Sequence, residues 1–109
     1  MSISADPVQV VPEQLRAAVQ ALDEDTEDLS KCERHLKVAL DALTELLTPV
    51  PSGAGKVPIA VNLGLDSSRV RATHTKVAAA YQRSRRLERP SVTQLYELAS
   101  QWPPLLKKE

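Results

Sequence analysis

The chain of 109 residues contains no Phe, one Trp, two Tyr, one Cys and three Gly. With so few bulky aromatics the core falls to Leu, Val and Ala, a composition that favours packed helices over a β-sandwich. The fold class expected is all-α. Cys32 stands alone, which excludes an intramolecular disulfide and a thiolate zinc cage; a small buried apolar residue is its ordinary role. No apolar run approaches membrane-spanning length, and the N-terminus lacks a basic region followed by an apolar one, so neither a membrane span nor a signal peptide is expected. A chain of this length supports one core. The expectation is a single helical domain, with a flexible lead-in over residues 1–11 and a helical core over 12–106.

Formal charge sums to zero, but its distribution is lopsided. Residues 1–50 hold four Lys/Arg against ten Asp/Glu, a net of −6, while residues 51–109 hold ten against four, a net of +6. Such asymmetry can steer an acidic partner to the second half. Overall neutrality makes direct nucleic-acid binding an unfavoured reading, because that affinity depends on cations facing phosphates.

Along the chain, Pro12 followed by Glu13 has the form of a helix start, with Val8–Val11 as an extended lead-in. From Leu15 to Leu47 the positions 15, 19, 22, 26, 29, 33, 36, 40, 43 and 47 keep a 4-3 spacing, and all but Thr26 and Glu33 are Leu or Val. The acidic run Asp23–Asp28 opposes the end of one helix and favours the start of another, so a break is expected near residues 24–30. Ser30 and Glu33 have capping-box spacing and predict a second helix from about Lys31 to Leu47.

Thr48–Lys56 has the composition of a loop. Its Gly53-Ala54-Gly55-Lys56 fails as a phosphate loop, since Val50 stands where the first glycine belongs and Val57 where Ser/Thr must follow the lysine. Pro58 and Gly64 bracket a helix of one to two turns. Asp66 is an N-cap, with Leu65 and Val70 at staple positions, and Val70, His74, Val77 and Tyr81 share one face of a helix reaching about Arg86. Arg83–Pro90 is the densest positive patch, and Ser84 and Ser91 within it are candidates for phosphorylation. Ser91 and Gln94 again have capping-box spacing, followed by Val92, Leu95, Leu98, Ala99 and Trp102 on one face. Pro103-Pro104 ends that helix, and Leu105 and Leu106 are expected to fold back.

Nothing in the residue pattern forms a nucleophile–base pair, a paired-carboxylate site, a metal cluster or a glycine cradle. His35 and His74 are isolated from ligand or triad partners. The expectation is a non-enzyme without cofactor, metal or small-molecule substrate.

Leu95, Leu98, Trp102, Leu105 and Leu106, together with Pro58-Ile59-Ala60-Val61-Asn62-Leu63 and the Lys76-Val77 to Arg83–Arg86 region, resemble the N-terminal domain of the transcription elongation factor TFIIS, found also in elongin A and a Mediator subunit. The resemblance covers roughly residues 30–106. The family's Gly-x-x-Val turn is missing, and Pro103-Pro104 stands where a pair of lysines is usual. What the resemblance implies is a compact bundle of four or five helices that binds short, disordered acidic-hydrophobic peptides and links transcription-elongation and chromatin factors in the nucleus. The partner-binding residues expected are Lys76, Tyr81, Arg83, Arg86, Leu98, Trp102 and Leu105, in a groove between the 66–86 and 91–102 helices. The alternative is a helical assembly subunit, pairing with another helix through the Leu15–Leu47 stripe in a coiled coil or multi-subunit complex.

Overall fold

A computed structural model describes residues 6–24 and 28–106. Residues 1–5, the centre of the acidic run at 25–27 with the stripe position Thr26, and the tail at 107–109 lie outside the described residues. The element order is α1 (Pro7–Glu24), α2 (Ser30–Leu46), β1 (Pro49–Ser52), β2 (Gly55–Pro58), α3 (Ile59–Asn62), α4 (Ser67–Arg85) and α5 (Val92–Ser100). The all-α expectation holds, with one small hairpin added. No helix among the described residues is long and apolar enough to cross a membrane.

The first helix begins five residues earlier than Pro12 implies. Asp6 and Pro7 supply the starting grammar there: the Asp6 carboxylate accepts the Val8 N–H at 2.9 Å, and its carbonyl accepts the N–H groups of Gln9 and Val10. Residues 7–11 are therefore helix, not a flexible lead-in. Pro12 lies inside α1, where it has no N–H to give the carbonyl of Val8. That carbonyl is not orphaned, because the indole Nε1–H of Trp102 donates to it at 2.7 Å.

The break between the first two helices falls where the acidic run predicts it. Ser30, however, is the first residue of α2 and not its cap; its N–H is accepted by the Asp28 carboxylate at 2.9 Å. That hydrogen bond, to the ionised form, holds the Asp28 carboxyl below its ordinary pKa. Helices α1 and α2 pack directly against one another. Leu15, Leu22, Leu36 and Leu43 are fully buried, so the stripe is consumed inside one chain. Each such side chain contributes about 1.5–3 kcal/mol of transfer free energy. Leu46 is fully buried and Leu47 only half-buried, because a helix of 3.6 residues per turn drifts off a strict seven-residue repeat.

The predicted loop at 48–56 is instead a two-stranded antiparallel hairpin, with Val50 opposite Val57 and Ser52 opposite Gly55. A two-residue turn with Gly53 at φ 60° joins the strands, a geometry glycine adopts without strain. Counting outward from the turn, Pro49, Pro51 and Pro58 all fall at positions that need no ladder N–H. Three prolines that disguise the strands are thus compatible with them.

Helix α4 packs on α2, and α5 packs on α1. The two outer helices run back along the central pair without packing closely on each other.

Candidate functional site

Three local devices set the flank between α4 and α5. Asp66 caps α4, its carboxylate accepting the N–H groups of Ser68 at 3.0 Å and Arg69 at 3.4 Å. Ser91 caps α5 by accepting the Gln94 N–H at 3.2 Å. Beyond α5 the chain folds back as expected: the Pro104 carbonyl accepts the Asp66 N–H at 2.8 Å, and the Leu106 N–H donates to the Gly64 carbonyl at 2.9 Å. Gly64, at φ 78°, allows the turn that brings these groups together.

The result is a pocket of about 90 Å³ where the start of α4 meets the end of α5. Arg69, Ala72 and Thr73 form one wall; Leu98, Trp102 and Pro104 form the other. A pocket of this size admits a partner's side chain, with the polar groups of Arg69, Thr73 and Gln101 set beside the apolar surfaces of Leu98, Trp102 and Pro104. Trp102 supports the wall rigidly, since its ring packs on the core and its N–H is anchored on Val8.

From this pocket the outer flank of α4 continues past Lys76 to Arg83 and Arg86, all exposed. Helix α4 carries Arg69, Arg71, Lys76, Arg83 and Arg85 and no carboxylate at all. Glu33 of α2 reaches Arg85, and the cations left without an ion pair among the described residues attract anionic partners over about a Debye length.

Of the seven residues singled out from the sequence, Leu98 and Trp102 line the pocket, Lys76 and Arg83 lie on the same helix as its Arg69 wall, and Arg86 is the C-cap of that helix. Tyr81 is placed elsewhere. It faces α2, in a shallow cleft of about 310 Å³ with Val38, Glu33, Arg34 and Lys37, because it sits on the flank of α4 that packs toward that helix. The Arg85 guanidinium lies over the Tyr81 ring, 5.9 Å from its centre, and 3.8 Å from Glu33. Leu105 bridges Leu65 through the backbone and leaves its side chain 59% exposed, outside the pocket wall; the adjacent Pro104 occupies that wall instead.

Arg69, Ala72, Thr73, Gln101 and Pro104 were not anticipated. The sequence does carry a signal for the first, since Arg69, Lys76 and Arg83 stand seven residues apart. Arg89, part of the positive patch, turns inward in function: its guanidinium donates to the Leu22 carbonyl at 3.1 Å and satisfies the last turn of α1.

The remaining reactive side chains are engaged structurally. His35 Nδ1–H donates to Gln14 at 2.7 Å, tying α2 to α1. The Thr44 hydroxyl donates to the Leu40 carbonyl, so His74 Nε2–H is the donor in its 3.1 Å bond to Thr44. Burial pushes the Cys32 thiol up from 9.0 to about 11, against a smaller opposing pull from Arg89. Ser84 is only 3% exposed and its hydroxyl donates to the Tyr81 carbonyl, which removes it as a phosphorylation candidate; Ser91 remains exposed. Among the described residues no group of three or more His, Cys, Asp or Glu could hold a metal ion. No family model, curated protein or solved structure matches the chain.

Proposed function

We propose that this is a non-catalytic interaction domain that captures short, disordered peptides in which apolar side chains have acidic neighbours. One observation carries the reading: a small pocket walled by Leu98 and Trp102 opens beside α4, whose exposed cations have no acid on their own helix. An apolar side chain enters the pocket, and carboxylates of the same peptide face Lys76, Arg83 and Arg86. The cations speed encounter and set orientation, while the pocket supplies desolvated contact. Affinity is modest, because a disordered ligand loses conformational freedom on docking.

The resemblance to the TFIIS N-terminal domain supports the same reading. On that resemblance the proposed partners are transcription-elongation and chromatin proteins, and the proposed site of action is the nucleus. The test is an NMR titration of the isotope-labelled chain with acidic-apolar peptides. Shifts should concentrate on the Trp102 indole and on backbone amides between 66 and 106. Amides in that range that stay unmoved at millimolar peptide would end the proposal.

A further inference from the structure

The side chains at 69, 72, 76, 79, 83 and 86 step alternately by three and four residues, the interval that keeps positions on one flank of a helix. At 3.6 residues per turn they fall within an arc of roughly 100°. All six are exposed. Those seven apart, Arg69, Lys76 and Arg83, are cations; Arg86 extends the row, and Ala72 and Ala79 fill the positions between. None of the four cations forms an ion pair among the described residues. The row is a coiled-coil seam written in charge instead of leucine.

This spacing selects among ligand conformations. The cations recur about every 10.5 Å along α4. An extended strand presents one face every second residue, about 6.6–6.8 Å apart, and falls out of step after one cation. A second helix with a carboxylate at every seventh residue stays in step with all of them. A seven-residue repeat also drifts about 20° per heptad around a straight helix, so the row winds left-handedly. A partner helix crossing at about +20° follows that drift, and the two alanines permit an interaxial distance near the short end of the usual 8–10 Å range.

The geometry points to an acidic α-helix as the occupant of this flank, with carboxylates at seven-residue intervals along Arg69, Lys76 and Arg83 and one apolar anchor in the Leu98–Trp102 pocket. This deepens the peptide-capture reading and rests on it: the ligand, disordered when free, becomes helical when bound.

The experiment uses the full chain, whose single Trp lies in the pocket wall and reports binding by fluorescence. The first probe is a capped Ser/Gln peptide of about three heptads, without Trp and largely unfolded when free, bearing Glu at every seventh position and a terminal Leu. The second has the same composition with Glu at every fifth position. The third is a short DNA duplex.

The expected result is binding of the first peptide about tenfold tighter than the second, the difference that three exposed ion pairs supply, with a gain of helical circular dichroism. Lys76→Glu and Arg83→Glu should erase the preference and leave the free protein's far-ultraviolet spectrum unchanged. Equal affinity for the two peptides, or binding without helix gain, overturns the helical ligand while leaving peptide capture standing. Tighter binding of the duplex than of the first peptide, with steep salt dependence, overturns it in favour of phosphate recognition. If neither peptide binds and disordered acidic-apolar peptides also leave the NMR spectrum unmoved, both readings fail.

Discussion

The central helix pair and α4 use their apolar residues in opposite ways. Helices α1 and α2 turn Leu15, Leu22, Leu36, Leu43 and Leu46 inward and leave a net acidic exterior. Helix α4 buries only Val70, Val77, Ala80 and Ser84, contains no leucine, and carries cations elsewhere. The central pair is built for cohesion. Helix α4 reaches its place by packing small side chains on α2, and its open flank is what remains available to a partner.

The largest effect that could break this contrast is in the core. Leu36→Ala should cost about 2–5 kcal/mol in denaturant unfolding, against roughly 2 kcal/mol for Val77→Ala on α4. Equal losses would mean that the pair and α4 are equally cohesive.

The bond from Trp102 to Val8 joins the two halves of the chain, and its deletion comes next. Trp102→Phe leaves the Val8 carbonyl without a donor and should cost about 1–3 kcal/mol. Pro12→Ala restores an intrahelical donor to that carbonyl, so a double-mutant cycle should show a smaller penalty for Trp102→Phe in the Pro12→Ala background. Additive losses would detach the indole from the proline.

Cys32 sharpens the contrast through pH. Its thiol loses a proton near 9.0 when unfolded and near 11 when folded, so its contribution is intact below pH 9 and lost as pH rises between these values. The loss is on the order of 3 kcal/mol once both states are ionised. Cys32→Ala should show a shallower alkaline decline in stability than the parent, a comparison that cancels Lys and Tyr titration.

A smaller gain is expected at the junction of α4 and α5. Leu87 is 82% exposed and sits at φ 62°, a left-handed conformation that disfavours a side chain. It occupies the glycine position of a Schellman motif, in which the Glu88 N–H donates to the Arg83 carbonyl at 2.8 Å and the Leu87 N–H to that of Ser84 at 3.1 Å. Leu87→Gly should therefore stabilise by about 1 kcal/mol, read as a rise in Tm. Smallest of all, Lys76→Ala and Arg83→Ala should leave stability within about 0.5 kcal/mol while weakening acidic-peptide binding.

The parts of the fold legible in the sequence were those governed by local grammar. Asp66 and Ser91 cap as their spacing predicts, and the acidic run marks the break between α1 and α2. What escaped depended on distant or geometric compensation. Pro12 resembles a helix start until a side chain 90 residues away supplies the missing donor. The prolines of the hairpin argue against strands until the register shows where each one falls. The site was legible in part for the same reason. Leu98, Trp102 and the α4 cations follow from helical periodicity, whereas the wall at Pro104 depends on a tail crossing Gly64, and Tyr81 faces α2 because of how two helices pack.

The Trp102–Val8 bond also has a consequence for synthesis. The first helix leaves the ribosome long before the indole that completes it, and α5, the helix that covers α1, follows at the same late stage. Until then the Val8 carbonyl, which Pro12 leaves without a helical donor, is hydrogen-bonded only by water, and the side of α1 that α5 covers stays open. The contact that closes the domain joins residues far apart in sequence, Val8 and Trp102, so its loop-closure cost is met only once the later of the two has been made. A chain stalled before Trp102 is synthesised should hold α1 and α2 together and still lack a settled N-terminal turn.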